Sequence, residues 1–346
     1  MFMKRGALEE LEENISRVYN VKKKIQEKGC HCLINISGHL SGSSMSFTGP
    51  SMGSVAGTAR RAFEFGQTYV VKPKGKHQAT IVWLHGLGDN GSRSVIRVAQ
   101  TCLNLSEIGA IELQGDIGIF TPEIRVVGFE GQYAISKLDW SNLLETLPLP
   151  NIKWICPTAP QRPITLFGGF PSTAWFDVND LSENAIDDDE GLDASAAYVA
   201  SLLATEPPHI KLGVGGFSMG AATSLYSATC FVRGKYENGN QYPVNLSLAV
   251  GLSGWLPWAK TLSSKLEGVE GAVSRATSLP ILLCHGKGDD VVPYKFGDKS
   301  SQKLRSCGFQ DVTFKSYTAL GHYTIPEEMD EICAWLTSKL GLEGKS

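Results

Sequence analysis

The stretch Ile210–Val232, with the sequence IKLGVGGFSMGAATSLYSATCFV, decides the fold of this 346-residue chain. Residues 210–216 alternate apolar side chains with lysine or glycine, as a short strand does. Residues 221–232 contain no glycine or proline and are compatible with a helix. Between them lies Gly216-Phe217-Ser218-Met219-Gly220, which has the form G-x-S-x-G. In that motif a sharp strand-to-helix turn presents a serine nucleophile, and small flanking residues permit the tight backbone packing.

The same pattern occurs once more in the chain, and the surroundings separate the two copies. Gly49-Pro50-Ser51-Met52-Gly53 lies among Ser, Gly, Pro and Thr, with no apolar run before it. With 37 glycines in the chain, one chance match of this kind is expected. We therefore interpret residues 49–53 as part of a flexible segment and Ser218 as the nucleophile.

Strand-like and helix-like segments alternate along the rest of the chain. Strands are predicted at the apolar runs 67–71, 79–85, 152–157, 210–216, 246–252, 281–286 and 311–317. Helices are predicted between or after them at 191–204, 221–232, 299–307 and 327–340. Apolar strands separated by helices indicate an α/β fold, with a mainly parallel sheet covered by helices on both faces. Ligands bind such a sheet at the carboxyl ends of its strands.

Two segments depart from this alternation. Residues 1–62 are predicted to be a leader, an amphipathic helix followed by a flexible Ser/Gly-rich segment. Residues 63–346 are predicted to form the α/β domain, interrupted by an atypical insertion at 93–139 where periodicity is weak. This insertion is either a surface loop, which would cap or obstruct the site, or non-native sequence from a faulty gene model.

Composition and charge exclude several classes of protein. A net charge of −3 gives no basic surface for nucleic acid. No apolar run approaches the ~20 residues of a membrane span, and the N-terminus lacks the apolar core of a secretory signal. The eight scattered cysteines are typical of reduced thiols, so we predict a cytoplasmic location. Cys30-His31-Cys32 has no second ligand cluster nearby, so no metal site is expected.

A serine nucleophile needs a base and an acid, which follow it along the chain in this type of fold. Of the seven histidines, five precede Ser218, and His285 lies inside the predicted strand 281–286. His322, in the loop before the last helix, therefore remains as the base. Asp289 and Asp290 both follow the strand 281–286, and the pattern alone does not separate them as the acid.

The glycine-rich loop 86–91 has two interpretations. As an early strand-to-helix loop, it is placed to supply one backbone N–H to an oxyanion, and Met219 would supply the other. Its sequence also matches G-x-G-x-x-G, which would indicate an NAD-dependent oxidoreductase. That interpretation requires an acidic residue at the end of a second strand, and no convincing strand precedes Glu107. A hydrolase-like scaffold that binds a ligand without turnover is a third interpretation.

These residues resemble the acyl-protein thioesterase and carboxylesterase family (phospholipase/carboxylesterase type), especially its plant members. The matching segments run in order from about residue 60 to the C-terminus and skip residues 93–139. They are TIVWLHGLGDNG (80–91), ICPTAP (155–160), AWFD (174–177), GGFSMGAA (215–222), GLSGWLP (251–257), CHGKGDDVVP (284–293) and ALGHY (319–323). Met219 departs from the Gln that follows the serine in many animal and bacterial members.

The resemblance implies an α/β-hydrolase fold and a serine hydrolase that cleaves acyl esters or thioesters without a cofactor. The implied substrates are acylated proteins or small acyl esters, handled by a monomer or weak dimer, with a lysophospholipase-type esterase as the alternative. The site residues it implies are Ser218 as nucleophile, Asp289 as acid, His322 as base, the amides of Leu87 and Met219 as oxyanion donors, and Trp175, Trp255 and Leu256 near the acyl group.

Overall fold

The predicted apolar runs form the strands of a central sheet. A computed structural model describes residues 63–90, 140–182 and 184–342 of the chain. The strands of this part are β1 (Tyr69–Val71), β2 (Ala79–Leu84), β3 (Ile152–Cys156), β4 (Gln161–Ile164), β5 (Phe170–Thr173), β6 (Lys211–Phe217), β7 (Leu248–Leu252), β8 (Ile281–Gly286) and β9 (Val312–Tyr317). Its α-helices are α1 (Trp140–Thr146), α2 (Asp189–Leu203), α3 (Met219–Arg233), α4 (Leu262–Leu266), α5 (Ala272–Ser278), α6 (Tyr294–Ser306) and α7 (Pro326–Leu340).

The main sheet has seven strands in the order β1-β3-β2-β6-β7-β8-β9. β1 pairs antiparallel with β3, and the other pairings are parallel. Because parallel strands end at the same edge, the segments that follow β2, β6, β7 and β8 meet there. The predicted nucleophile, acid and glycine-rich loop all belong to those segments.

Helices cover both faces of this sheet. Val82 and Leu84 of β2 pack in one hydrophobic layer with residues of α2 and α3. Ile81 and Trp83, which point the opposite way, pack in a second layer with residues of α1 and α7. This two-sided burial explains why the strands read as continuous apolar runs, and it confirms the predicted α/β-hydrolase architecture.

A small hairpin and three short helices are additions that the apolar pattern does not predict. β4 and β5 form a separate antiparallel pair in which Pro163 lies opposite Pro171. Proline cannot donate to a strand ladder, so a proline in each segment argues against a strand when only the sequence is known. Helices α1, α4 and α5 are too short for a clear helical period.

Helix α6 begins at Tyr294 and not at the predicted Lys299. The early part contains Gly297, which lowers helix propensity and hides the true start. A side chain is excluded there because a Cβ on Gly297 would lie 2.3 Å from Nδ1 of His285. The glycine thus lets α6 pack directly on a buried histidine of β8.

The predicted leader at 1–62 and the predicted insertion at 93–139 lie outside the described residues. Among the helices that are described, none combines the length and the apolar character needed to cross a bilayer.

Gly297→Ala is expected to destabilise the protein by about 2 kcal/mol, as overpacking of a full site does. The direction of the change in unfolding free energy tests the packing argument, because a glycine-to-alanine change inside a helix normally stabilises by up to about 1 kcal/mol. Urea unfolding measures the change, with Lys295→Ala on the exposed side of the same helix as control. A Gly297→Ala variant as stable as wild type would contradict the packing argument.

Candidate active site

Ser218 occupies a strained turn between the end of β6 and the start of α3. Its φ of 57° and ψ of −120° lie in a region that residues with a side chain rarely adopt. The Ser218 N–H donates to the carbonyl of Leu252 at 2.8 Å, and the Ser218 carbonyl accepts from the N–H of Ala222 at 3.1 Å. Both backbone groups are therefore held, and the turn keeps the serine at the carboxyl edge of the sheet.

Gly216 and Gly220 are required by the close approach of this turn to β2. A Cβ on Gly216 would lie 2.6 Å from the carbonyl oxygen of Leu84, and one on Gly220 would lie 2.2 Å from the same oxygen. Either side chain would force β2 and the turn apart. The two glycines of the G-x-S-x-G motif thus have a packing role on top of the turn geometry.

The structure brings Ser218, His322 and Asp289 into one line of contacts. Nε2 of His322 lies 3.0 Å from Oγ of Ser218, and Nδ1 of His322 lies 2.8 Å from Oδ2 of Asp289. All three side chains are at most 7% exposed. Because a carboxylate only accepts, Nδ1 carries the proton and Nε2 is left to accept from the serine hydroxyl. Asp290, the other candidate acid, is exposed.

Asp289 is held by backbone amides on one oxygen and by histidines on the other. Oδ1 accepts from the N–H groups of Val291 at 3.0 Å and Val292 at 2.8 Å. Oδ2 faces His322 and also Nε2 of His285, at 3.4 Å. Burial alone would raise the pKa of Asp289, but the hydrogen bonds from His285, His322 and Val292 and the attraction of the His322 ring hold that pKa well below its usual range. The acid is therefore ionised at neutral pH.

The glycine-rich loop after β2 lies against Ser218. A Cβ on Gly86 would lie 3.4 Å from Cβ of Ser218. The N–H of Gly88 donates to the carbonyl of Thr173 at 2.8 Å, which ties the loop to the end of β5, and the N–H of Asp89 donates to Gly86 at 3.2 Å. The loop thus forms a tight turn with fixed ends next to Ser218.

Two backbone amides at this turn are candidates for oxyanion donors. The Leu87 amide takes part in neither of the loop bonds just described. Met219 is the first residue of α3, so its amide has no acceptor one turn earlier in the helix. Both amides therefore remain candidates for the predicted pair of donors.

His85 is a residue of this site that the sequence interpretation missed. Its Nε2 accepts from the N–H of Ala159 at 3.0 Å, so Nδ1 carries the proton and donates to the carbonyl of Gly86 at 2.7 Å. Burial lowers the pKa of His85 to about 4, with the Gly86 carbonyl opposing the change, so the ring is neutral at pH 7. The only sequence signal was its position directly before the glycine-rich loop.

Of the three predicted acyl-site residues, Trp255 and Leu256 line a cavity of about 730 Å³. Val292, whose amide binds Asp289, lines the same cavity, so it begins beside the acid loop. Trp175 does not line it. The Trp175 side chain is buried, donates from Nε1 to the His85 carbonyl at 2.9 Å, and packs on the His85 ring. Trp175 thus supports His85, the residue directly before the glycine-rich loop.

Comparisons with known proteins agree with this geometry. The sequence profile of the Phospholipase/Carboxylesterase family matches residues 66–119 and 134–340. A crystal structure of Zea mays acyl-protein thioesterase 2 is 60% identical, covers 80% of this chain and 100% of its own, and superposes with a TM-score of 0.65. Acyl-protein thioesterase 1 of Cryptococcus neoformans is 28% identical over 78% of this chain and 96% of its own length. Acyl-protein thioesterase 1 homolog 1 of Dictyostelium discoideum is 28% identical over 79% and 96%.

The neutral state of His85 predicts how stability depends on pH. A histidine whose folded pKa lies below its unfolded value of 6.5 contributes full stability above pH 6.5 and loses it as pH falls towards 4. At about 1.4 kcal/mol for each pH unit, the gap between 6.5 and about 4 corresponds to about 3 kcal/mol. We expect the free energy of unfolding of wild type to fall by that much more than that of His85→Gln between pH 7 and pH 4.

Urea unfolding at a series of pH values measures this difference. The exposed His209, changed to Gln, is the matched control and is expected to keep the wild-type slope. Equal slopes for wild type and His85→Gln would contradict the assignment of a buried neutral ring.

Proposed function

Because the chain belongs to the phospholipase/carboxylesterase family, we propose that it is an acyl-protein thioesterase, a serine hydrolase that removes acyl groups from cysteine side chains. The observation that carries the proposal is the line of contacts from Ser218 through His322 to Asp289, at 3.0 and 2.8 Å. The maize structure that matches this chain at 60% identity is named for this activity.

Each member of the line of contacts has a defined chemical role in the proposal. His322 takes the proton of Ser218 as the hydroxyl oxygen attacks the acyl carbonyl, and it later gives that proton to the leaving thiolate. Asp289, ionised and fixed by the Val291 and Val292 amides, keeps the His322 ring in the productive tautomer and stabilises its cationic form. His322 then takes a proton from water as the water oxygen attacks the acyl-enzyme. It gives that proton to Oγ of Ser218 as the acyl group leaves.

The tetrahedral intermediate is stabilised by the amides of Leu87 and Met219. Each such donor is worth about 3 kcal/mol of transition-state stabilisation. A backbone donor does not depend on its side chain, so methionine at 219 supplies the same N–H as glutamine. The neutral His85 ring is compatible with oxyanion binding at this loop. It fixes the loop without adding a positive charge, which would bind an anion before the substrate reacts.

An apolar acyl group fits the surroundings of the site. The cavity of about 730 Å³ is within the range of about 300–1,000 Å³ of ligand pockets, and Trp255, Leu256 and Phe296 line it. One lining side chain, Ile186, is 82% exposed, and the half-exposed Tyr323 directly follows His322. Exposed apolar side chains around a groove are typical of a surface that receives an apolar ligand.

The proposed setting is the cytoplasm, with the protein acting as a monomer or weak dimer. Of the cysteines that the structure describes, Cys230, Cys284, Cys307 and Cys333 are thiols outside any disulfide. Cysteines that stay reduced are typical of a reducing compartment.

Ser218→Ala is expected to abolish labelling by a fluorophosphonate and to lower kcat/KM on a palmitoyl-cysteine peptide by about 10⁴-fold or more. Ser51→Ala, in the other G-x-S-x-G sequence, is the matched control and should behave as wild type. Equal labelling of wild type and Ser218→Ala would overturn the nucleophile. Labelling without hydrolysis of the thioester peptide, but with hydrolysis of a lysophospholipid, would redirect the substrate assignment.

Asp289→Asn and Asp290→Asn form a pair that tests the acid. We expect Asp289→Asn to lose about 10³- to 10⁴-fold in kcat, because the amide no longer selects the productive tautomer of His322. Asp290→Asn, its exposed neighbour, should stay within about 2-fold of wild type, as surface substitutions usually do. A greater loss at Asp290 than at Asp289 would reverse the assignment.

A further inference from the structure

Glu328 is a buried carboxyl group that the proposed mechanism does not use. Its side chain is fully buried, and neither of its carboxyl oxygens has a hydrogen-bond partner among the described residues. The buried carboxylates of Asp193 and Asp289 each accept hydrogen bonds from two backbone amides. A buried polar group without a partner is rare in folded proteins and needs an explanation.

Glu328 stands in the first turn of α7, directly after the loop that carries His322. α7 begins at Pro326 with Ile325 as its cap, so Glu328 is the third residue of the helix. The Ile325 carbonyl accepts from the N–H of Met329 at 3.1 Å, which fastens the cap to the helix. Two residues separate His322 from Ile325. A displacement of this first turn therefore reaches the His322 ring through a short length of chain.

Among the described residues, the titratable groups that act on Glu328 come from three elements, and none of them is a cation. Glu331 faces it from α7, Cys284 from β8 and Tyr317 from β9. Lys315 of β9 pairs with Glu331 at 3.4 Å, and the Tyr317 hydroxyl donates to Glu331 at 2.9 Å. These two donors thus bind Glu331 and not Glu328.

These surroundings favour the neutral acid. Burial raises the pKa of Glu328 to about 8, and the negative charge of Glu331 adds to the rise. The backbone amide of Ile325 opposes it, since it attracts the ionised form, but its geometry does not amount to a hydrogen bond. Glu328 is therefore mostly protonated at pH 7, and it ionises as the pH rises through about 8.

We propose that Glu328 is a positioning residue for His322, whose neutral form keeps the first turn of α7 where the Ser218–His322 contact requires it. This inference rests on the proposed catalytic role of His322. Once ionised, the carboxylate must gain a donor or water, because an unpaired buried charge is costly. The Ile325 amide is the donor that attracts it, and a move towards that amide shifts the chain that leads back to His322. A misplacement of about 1 Å can lower a rate by about 100-fold.

The same protonation change has a consequence for stability. A carboxyl whose folded pKa of about 8 exceeds its unfolded value of 4.5 costs stability as pH rises from 4.5 towards 8. Below pH 4.5 both states are protonated and the cost is absent. Glu328→Gln keeps the shape of the neutral acid and cannot ionise. Its Tm should therefore exceed that of wild type above pH 4.5, by a margin that grows up to about pH 8.

The test compares pH profiles of kcat/KM on an oxygen ester between pH 6 and pH 9.5, corrected for uncatalysed hydrolysis. We expect wild type to lose about 10-fold or more above pH 8, reversibly, while Glu328→Gln changes by less than about 2-fold. Glu331→Gln removes the neighbouring charge and keeps an acceptor for Tyr317, so its alkaline decline should begin at lower pH. Circular dichroism checks that each variant is folded.

Two results would overturn the proposal. One is an alkaline decline of the same size and midpoint in wild type and Glu328→Gln. The other is a folded Glu328→Gln variant that is inactive at every pH, since the neutral isostere should support the reaction. Failure of the proposed function is distinguishable from both, because it would appear as full activity in Ser218→Ala.

Discussion

The backbone of the turn around Ser218 touches the backbone at the end of β2, with no side chain between them. A Cβ on Gly220 would lie 2.2 Å from the Leu84 carbonyl oxygen, and one on Gly254 would lie 2.9 Å from the Ser218 carbonyl oxygen. The strained turn is thus enclosed by β2 on one side and by the segment after β7 on the other. Because β2 leads straight into the glycine-rich loop, this one close approach sets Ser218, the proposed nucleophile, against the loop that carries the Leu87 amide.

Two histidines lie outside the line of contacts from Ser218 through His322 to Asp289. They hold the loops next to that line in place. His85, neutral and buried, fixes the glycine-rich loop through Gly86 and Ala159. His285 donates from Nε2 to the Val292 carbonyl at 2.8 Å and faces Asp289 from behind. Both rings lie at the ends of central strands and bind backbone groups of the loops outside the sheet. Polar side chains there satisfy those groups and at the same time orient the site.

Much of this arrangement could be predicted because it is local in sequence. The strand, the glycine-flanked serine and the helix that follows are consecutive, so their pattern indicates the turn directly. In this type of fold the base follows the serine and the acid along the chain, so His322 could be selected among the histidines as the predicted base. The strand-and-loop pattern did not separate Asp289 from Asp290, and only the family resemblance favoured Asp289. In the structure Asp289 is buried against His322, whereas Asp290 is exposed.

What the pattern could not indicate depends on contacts between distant segments. The ring of His85 meets the amide of Ala159, 74 residues away. The true start of α6 depends on His285 of another element, which excludes a side chain at Gly297. Trp175 is a large aromatic residue of the kind that often lines a ligand site. Its indole instead donates to the His85 carbonyl and so supports the glycine-rich loop. Glu328 lies in the first turn of α7, two residues after Pro326, and glutamate is almost never fully buried unless it is paired.

The described bonds of the glycine-rich loop connect it to segments that are distant in sequence. Nε2 of His85 accepts from the N–H of Ala159 at 3.0 Å, and the N–H of Gly88 donates to the carbonyl of Thr173 at 2.8 Å. Ala159 and Thr173 lie at the two ends of the β4–β5 hairpin. The hairpin thus acts as a brace for the loop, and the position of the Leu87 amide depends on the correct folding of a strand pair that lies outside the main sheet.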